Sequence, residues 1–337
     1  MDFDDSRLAD SPMSPQADEA LRHLAGAGAR IRREASQPAR DLAQRFEAGR
    51  RPRGVVALGR GARLLRAVME PFCPSPFVAW PFDGLPAWVG ALDLVVVLAP
   101  EGSEPGLVQA AREAARRGSA VMLAGRPDSV IAEAAAGRSS LLVPMETGDE
   151  LACVVQVLAV LHELGLAPHL VPESVAEACD LVAQESSPHR SLADNPAKDL
   201  ALNLAEAQPL LFGGTVLAAR AARRVAESLR RHSGRPALAA DAQELEPVLV
   251  STHNRDLFAD PFDEPAELRP VLLVLDDGTQ DALARRAAGE LVTLANHHDV
   301  RVCTISAEGS SAVDRYASLL YRGLYGSTWL AIGLGRL

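Results

Sequence analysis

Three glycine-bearing segments of this sequence carry residue types that suit the binding of an anion. They are Gly59-Arg60-Gly61, the loop Pro100–Gly106 and Gly213-Gly214-Thr215. Each follows an apolar run and precedes a segment of helical period, so each is expected to open a helix. The free N–H groups at a helix N-terminus attract phosphate and carboxylate groups. The ligand-binding residues predicted from these segments are Gly59, Arg60, Gly61, Glu101, Gly102, Ser103, Gly213 and Gly214.

The apolar runs beside these loops predict parallel β-strands. Leu94–Ala99 is followed by the loop, by a helix over Leu107–Arg117 and by a second apolar run at Ala120–Ala124. Strand, loop, helix and strand in this order form one βαβ unit. The strand–glycine–helix opening at Gly54–Gly61 is repeated at Pro209–Gly214. The predicted fold class is α/β, with two doubly wound, flavodoxin-like domains of three αβα layers.

A chain of 337 residues is long enough for two such domains. The boundaries predicted are a flexible leader over 1–16, a first domain over 17–168, a helical connection over 169–194, and a second domain with C-terminal helices over 195–337. One continuous helix is expected over Ala17–Arg33. In the second domain, Asn195-Pro196 is expected to cap a helix that continues through Ala207.

Two segments are apolar around most of the helix circumference. They are Leu151–Leu166 and Asp314–Leu334, and the second contains all three tyrosines of the chain. Such helices need cover on every face, so we expect them to pack between domains or between subunits. A homodimer is therefore the predicted assembly.

The composition limits the classes of partner and cofactor. The formal net charge of −10 disfavours a broad surface for nucleic acid or an anionic membrane. The acidic N-terminal segment has no secretion signal, and the longest apolar helix is too short to span a bilayer, so a cytoplasmic protein is expected. The four cysteines form no CxxC pair, and no Walker loop or GxGxxG motif opens a helix. No metal and no cofactor are predicted.

Four stretches carry a resemblance to a known family. The first, Leu94–Gly106, stands where that family has a strand and a Ser-x-Ser-Gly-Asn-Thr loop. The second and third, Asn195–Lys198 and Leu210–Gly214, match the start of its second domain and the strand and glycine turn that follow. The fourth, Trp329–Gly335, matches a terminal Tyr-Leu-Ala-x-x-x-Gly. The chain resembles the double sugar-isomerase-domain (SIS) proteins, in particular the bacterial and archaeal phosphoglucose/phosphomannose isomerases, in a divergent actinobacterial form. The resemblance extends from residue 17 to the C-terminus.

The resemblance implies a sugar-phosphate ligand held by serine and threonine hydroxyls in the first of these stretches. In this sequence the matching positions are Ala99, Glu101 and Glu104, and only Gly102 is retained. A carboxylate ~5 Å from a phosphate dianion opposes binding by on the order of several kcal/mol, at an effective dielectric constant of roughly 20. In and beside the first glycine segment, Arg60 and Arg63 are the available compensating cations.

Aldose–ketose isomerisation needs a carboxylate or imidazole that moves a proton between adjacent carbon atoms. The resemblance assigns the family's glutamate base to Arg231 and its histidine to the neighbourhood of Pro247. The acidic and imidazole residues nearest to these positions are Glu227, His232, Glu244 and His253. The catalytic residues predicted for a relocated site are His253 and Glu244.

Three hypotheses of function follow from the sequence. The leading one is a SIS protein that binds a sugar phosphate or related carbohydrate derivative but lacks the ancestral isomerase chemistry. The second is an active isomerase of glucose 6-phosphate or mannose 6-phosphate, which requires His253 or Glu244 and a cation from Arg60, Arg63 or Arg126 in one cleft. The third is a structural or regulatory protein that makes its contacts through the two apolar helices.

Overall fold

The computed structural model describes residues 3–9, 13–46, 51–102, 104–252 and 268–337. The chain forms two compact units. We call residues 27–176 the first unit, and the described residues of 1–26 and 177–337 the second unit. Two of the predicted site residues, Ser103 and His253, lie outside the described residues.

The first unit is built around a sheet of parallel strands. After α1 (Pro15–Ala25), which belongs to the second unit, its elements are α2 (Ala27–Glu34), α3 (Ala39–Gln44), β1 (Val55–Leu58), α4 (Ala62–Met69), β2 (Phe77–Ala79), β3 (Leu94–Ala99), α5 (Pro105–Arg116), β4 (Ala120–Gly125), α6 (Val130–Ala135), β5 (Ser140–Pro144) and α7 (Glu150–Glu163). The strand order is β2-β1-β3-β4-β5. Every neighbouring pair is parallel, so the carboxyl ends of all five strands lie at one edge.

The segment from β3 to β4 confirms the predicted βαβ unit. All six residues of β3 are buried, as expected for a strand covered on both faces. α5 has proline at its first turn, where the missing N–H is not needed. It turns Ala110, Ala111 and Ala114 towards the core cluster of the sheet, and these small side chains let the helix approach closely. Gly118 follows the helix with a φ of +73°, which suits glycine.

The second unit has the same architecture with one strand fewer among the described residues. Its elements after α8 (Pro172–Glu185), which begins in the first unit, are α9 (Pro196–Leu204), β6 (Ala207–Gly213), α10 (Val216–Ser233), β7 (Leu238–Ala239), α11 (Ala242–Val250), β8 (Arg269–Asp276), α12 (Ala282–His297), β9 (Arg301–Ser306) and α13 (Ala312–Gly333). The strand order is β7-β6-β8-β9, again with all pairs parallel. The predicted α/β class with three-layer domains is therefore confirmed.

Helix α13 packs closely against its neighbours in the second unit. A Cβ atom at Gly323 would overlap Val225 of α10, and one at Gly326 would overlap Leu200 of α9. A capping box between Ser311 and Asp314 fixes its N-terminus. The two glycines are therefore required because the helices approach closely, and they need no ligand to explain them.

Part of the segment that was predicted as a flexible leader is structured. Asp5–Leu8 forms a 3₁₀ turn, and Leu8 is buried. The Asp4 N–H donates to the carbonyl of Gly333 at 2.9 Å. The polar composition of this segment predicted flexibility, but the buried Leu8 and the hydrogen bond to Gly333 attach it to the end of α13.

Two helix predictions need correction, and one helix was not predicted. The helix expected over Ala17–Arg33 is two helices, with a break at Gly26 between α1 and α2. The helix expected to continue through Ala207 ends at Leu204, because Ala207 already belongs to β6. The sequence analysis did not predict α11, whose interior contains Pro247.

The apolar helices α7 and α13 are covered within a single chain. Eleven consecutive residues of α7, Leu151–Leu161, are buried, and so is most of α13. In the described structure they therefore leave no apolar face for a subunit interface, contrary to the basis of the third hypothesis. Among the residues described here, no helix is long and apolar enough to cross a membrane.

Gly59 gives a test of the packing between β1 and β3. A Cβ atom there would overlap the backbone carbonyl of Leu98, and its φ is +100°. We expect Gly59→Ala to lower the free energy of unfolding by about 3 kcal/mol or more, since backbone strain and overlap add. Gly84 is the matched control, because its φ is +74° and a Cβ atom there would meet nothing within 4 Å. Gly84→Ala should cost only about 1 kcal/mol in urea unfolding. Equal costs would contradict the packing argument.

Candidate functional site

The candidate site of the first unit lies where β1 and β3 end side by side. The sheet order reverses at this pair, which is the point where open α/β sheets bind ligands. The loops that leave the two strands line a pocket, together with the start of α7. The lining residues are Arg60, Gly61, Leu98, Ala99, Pro100, Glu101, Gly102, Glu104, Gly148, Glu150 and Cys153. The structure thus brings the predicted residues Arg60, Gly61, Glu101 and Gly102 together.

Two glycines of this site are explained by packing. Gly59 is needed because its Cα lies against the Leu98 carbonyl, as described above. A Cβ atom at Gly61 would overlap a methyl group of Val154 in α7. Gly102 has a φ of +84°, which glycine adopts without strain. The glycine pattern therefore records how closely the elements approach and does not by itself indicate a ligand.

The charges that line the pocket are mostly negative. Glu101, Glu104 and Glu150 contribute carboxylates, and Arg60 is the one cationic side chain among the lining residues. The Arg60 guanidinium lies 3.6 Å from the Glu104 carboxylate, with both side chains more than half exposed. An exposed ion pair of this kind contributes little to stability. It does mean that Arg60, the cation that would bind a phosphate here, already has Glu104 as a partner.

A further carboxylate lies against the first turn of α5. A Cβ atom at Gly106 would overlap the carboxylate of Asp83, which comes from the loop between β2 and β3. Gly106 is the second residue of this helix, where the positive end of the helix dipole favours anions. The chain thus places a negative charge of its own beside the first turn of this helix.

The wall of the pocket around Gly148 is held by a buried carboxylate. Glu34 of α2 accepts hydrogen bonds from the N–H of Glu146 at 3.0 Å and from the N–H of Thr147 at 2.6 Å. Asp149 then caps α7, accepting from the Ala152 N–H at 2.8 Å, and pairs with Arg30 at 2.8 Å. These contacts fix the start of α7, and with it Glu150, relative to the strands.

The Cys153 thiol is not an activated nucleophile. It is buried, and burial raises its pKa far above the ordinary value; the nearby negative charges of Glu34, Glu150 and Asp149 raise it further. A thiol is nucleophilic as the thiolate, which this environment disfavours. Cys153 therefore contributes an apolar wall to the pocket.

The equivalent edge of the second unit also carries a carboxylate. Gly213 ends β6 and Gly214 follows it. A Cβ atom at Gly213 would overlap the backbone of Ala218 in α10. Thr215 caps α10, accepting from the Ala218 N–H at 3.2 Å, and its hydroxyl donates to the carboxylate of Asp277. Asp277 follows β8, the neighbour of β6 in the sheet. The predicted ligand residues Gly213 and Gly214 thus lie beside a carboxylate that already engages the cap.

Of the two predicted catalytic residues, the structure describes only Glu244. Glu244 lies exposed in the first turn of α11, and His253 lies outside the described residues. Arg231, at the position of the family's base, is exposed near the end of α10. Glu227 pairs with Arg224 at 3.0 Å on α10. Glu244, Arg231 and Glu227 all lie within helices, and none of them lies in a loop that leaves β6 or β8.

Sequence reasoning missed Asp83, Glu150 and Cys153. For the last two a signal existed, because a helix that follows a strand of a parallel sheet begins at the carboxyl edge. Glu150 and Cys153 stand in the first turns of the helix after β5. Asp83 had no such signal, since its loop had to fold back onto α5. In the part of the chain that the structure describes, no group of three or more metal-ligating side chains is assembled.

The second unit matches a known domain family. Residues 193–336 match the family described as the bacterial phospho-glucose isomerase C-terminal SIS domain. This part of the chain is similar to SIS domains. Comparison with curated protein sequences finds no match.

Solved structures share the fold over both units. The Escherichia coli tagatose-6-phosphate ketose/aldose isomerase has a TM-score of 0.64 at 13% identity, over 95% of this chain and 93% of that one. The C-terminal domain of Francisella tularensis glucosamine-fructose-6-phosphate aminotransferase has 0.64 at 11%, over 94% and 96%. A glucose-6-phosphate isomerase like protein from Thermus thermophilus has 0.51 at 20%, over 94% and 93%. The predicted resemblance to SIS phosphosugar isomerases is confirmed, and these low identities establish the fold alone.

His232 of the second unit is a structural residue. Its Nδ1 lies 3.1 Å from the Ser327 hydroxyl of α13, which in turn lies 2.9 Å from the Ser228 hydroxyl. Burial lowers the pKa of His232 below its ordinary value of 6.5, and the Arg231 charge lowers it further. A neutral Nδ1 can accept from Ser327, whereas a protonated one cannot.

This arrangement predicts a loss of stability in mild acid. Because the folded pKa lies below 6.5, the unfolded chain binds the proton first, and the free energy of unfolding falls as the pH drops through that value. The slope from this one group stays under about 1.4 kcal/mol per pH unit. Urea unfolding at a series of mildly acidic pH values should show a smaller slope of unfolding free energy against pH in His232→Gln than in wild type. Arg231→Gln should show a partial decrease of the same slope. An unchanged slope in His232→Gln would refute the assignment.

Proposed function

We propose that this SIS protein binds a carbohydrate derivative that places no phosphate in the first-unit loop, and that it does not isomerise it. The observation that carries the proposal is the charge of the pocket between β1 and β3. Three carboxylates, from Glu101, Glu104 and Glu150, line it against the single guanidinium of Arg60. A ligand with hydroxyl or amino groups suits such acceptors, because carboxylate oxygens accept hydrogen bonds from both.

A phosphate group is opposed at this site for two reasons. Each carboxylate about 4 Å from a phosphate charge costs between roughly 1 kcal/mol in water and 4 kcal/mol near a protein surface. In addition, Asp83 places a further negative charge beside the first turn of α5, the helix whose N-terminus would otherwise favour a phosphate. A loss of a few kcal/mol is enough to remove a millimolar affinity.

The same argument bears on catalysis. A pocket carboxylate such as Glu150 has the chemistry of a proton carrier, but isomerisation also needs the reacting carbon atoms held beside it. A phosphate anchor would provide that positioning, and here it is opposed. At the base position implied by the resemblance, Arg231 has no lone pair to accept a proton. Binding without turnover is the function that these residues support best.

Exchange of the two loop carboxylates tests the proposal. We expect Glu101→Ser with Glu104→Thr to strengthen binding of inorganic phosphate and glucose 6-phosphate at least tenfold by calorimetry, because two repulsive charges leave and two hydroxyls arrive. Glu70→Ser with Glu163→Thr is the matched control. It removes the same charge from exposed positions outside the pocket, so it should leave phosphate binding unchanged.

Unmodified protein should show no thermal shift with glucose 6-phosphate or mannose 6-phosphate, and no interconversion with fructose 6-phosphate. Binding of a hexose phosphate with turnover by the unmodified chain would overturn the proposal and favour the active isomerase. A gain of phosphate affinity in the control variant as large as that in the loop variant would assign the effect to net charge rather than to the pocket.

A further inference from the structure

A groove of the second unit is lined by α9, β9 and α13. Its volume is about 360 Å³, which is within the range of pockets that hold small molecules. α9 and β9 supply all but two of its lining residues, and the other two are Ser186, which follows α8, and Arg322 of α13. None of these residues lines the pocket between β1 and β3. The groove is therefore a separate place where a ligand would fit, built from one unit alone.

The hydroxyl of Ser186 is buried in the wall of this groove without a partner. Ser186 is 1% exposed, and its Oγ has no hydrogen-bond partner among the described residues. Buried polar groups in folded proteins are nearly always hydrogen-bonded, either to the protein or to an ordered molecule. Because Ser186 lines the groove, a molecule bound in the groove would supply the missing partner.

Arg322 lines the groove with its positive charge already balanced. Its guanidinium lies 2.8 Å from the Glu185 carboxylate and 2.8 Å from the Glu308 carboxylate, and it also donates to the carbonyl of Ser306. Its Nε is buried and has no partner in the part of the chain that the structure describes. An anionic ligand would therefore meet a cation that two carboxylates already neutralise, whereas the Nε–H suits an uncharged acceptor.

The outer edge of β9 adds one donor and one acceptor. The Ala307 N–H donates to the Asp276 carbonyl of β8 at 2.8 Å, so the odd-numbered residues of this segment direct their backbone groups towards β8. Successive residues of a strand alternate in this respect, so Thr304 directs its N–H and its carbonyl away from β8. No described strand pairs with that side of β9, and Thr304 lines the groove.

The hydrogen-bonding groups of the groove are thus a mixture of donors and acceptors. The Ser186 hydroxyl can do both, the Arg322 Nε–H donates, and the Thr304 backbone offers one of each. Asp199 of α9 adds a carboxylate, one oxygen of which accepts from the Asn203 amide at 3.2 Å. Such a mixture matches a ligand whose own groups both donate and accept.

We propose that this groove binds an uncharged polyhydroxylated ligand, of the chemical class of a neutral monosaccharide. A hydroxyl group can pair with each of the groups above, whereas a phosphate only accepts hydrogen bonds and would lie beside the Asp199 carboxylate. The apolar part of the lining suits the C–H groups of such a ligand; it includes Pro196, Leu200 and Ile305. The site is additional to the pocket between β1 and β3 and does not depend on the function proposed for that pocket.

Protection of Cys303 from alkylation is the first test. Cys303 is a free, half-buried thiol that lines the groove. The probes are glucose, mannose and sorbitol at millimolar concentrations, and mass spectrometry after reaction with N-ethylmaleimide gives the rate at each cysteine. We expect at least one probe to slow alkylation of Cys303 at least threefold at saturation. Cys73, a half-buried thiol outside the groove, is the internal control and should react at an unchanged rate.

Substitution of Ser186 separates binding from folding. Ser186→Ala should raise the Kd of the protecting probe at least fivefold, because the bound ligand loses a hydrogen bond. It should leave the Tm of the ligand-free protein unchanged, because the hydroxyl has no partner there to lose. Ser251→Ala is the matched control, since it removes an exposed hydroxyl outside the groove that donates to the Val248 carbonyl at 3.0 Å. It should leave the Kd unchanged.

Thr304→Pro gives a second variant that does not depend on Ser186. It removes the outward N–H at an edge position, where proline is tolerated, and should also raise the Kd at least fivefold. Failure of all three probes to protect Cys303 would overturn the proposal. So would protection that neither Ser186→Ala nor Thr304→Pro weakens, because the probe would then bind elsewhere. Stronger protection by glucose 6-phosphate than by glucose would overturn the assignment of an uncharged ligand.

Discussion

The close approach of β1 to β3 is the constraint on which the first-unit site depends. Because the two strands are parallel neighbours, the chain leaving β1 passes directly over the carbonyl of Leu98. Only glycine fits at residue 59, and the turn that follows brings Arg60 to the mouth of the pocket and Gly61 against α7. The Glu34 carboxylate, which holds the segment before α7, fixes the opposite wall of the pocket.

The two units show how one fold can keep its geometry while its electrostatics change. Parallel strands direct helix N-termini to one edge, and those N-termini favour negative charge whatever its source. In the first unit the charge at α5 comes from Asp83, and in the second unit the cap of α10 engages Asp277. In each unit a carboxylate of the chain therefore lies near the first turn of a helix that follows a strand of the sheet.

The periodic part of the fold could be predicted from the sequence, because buried parallel strands and amphipathic helices have distinct patterns. β3, α5 and β4 were placed to within two residues for this reason. Features that depend on contacts distant in sequence could not be predicted. Asp83 reaches α5 through a folded loop, Leu8 anchors a polar segment, and the cover over α7 exists only in the folded chain. The break at Gly26 and the early end of α9 are local, but no residue type marks them strongly enough.

Retained glycines are weak evidence for retained activity in this fold. Gly59, Gly61 and Gly213 would each be kept by packing alone, since a Cβ atom at any of them overlaps a neighbouring element. A chain that had lost its ligand would therefore still preserve the glycine pattern of a binding loop. Side chains that face the pocket are under no such packing constraint, so their charge is the more informative feature. Glu101 and Glu104, at positions where the resemblance implies hydroxyls, are what a change of ligand on a shared scaffold would produce.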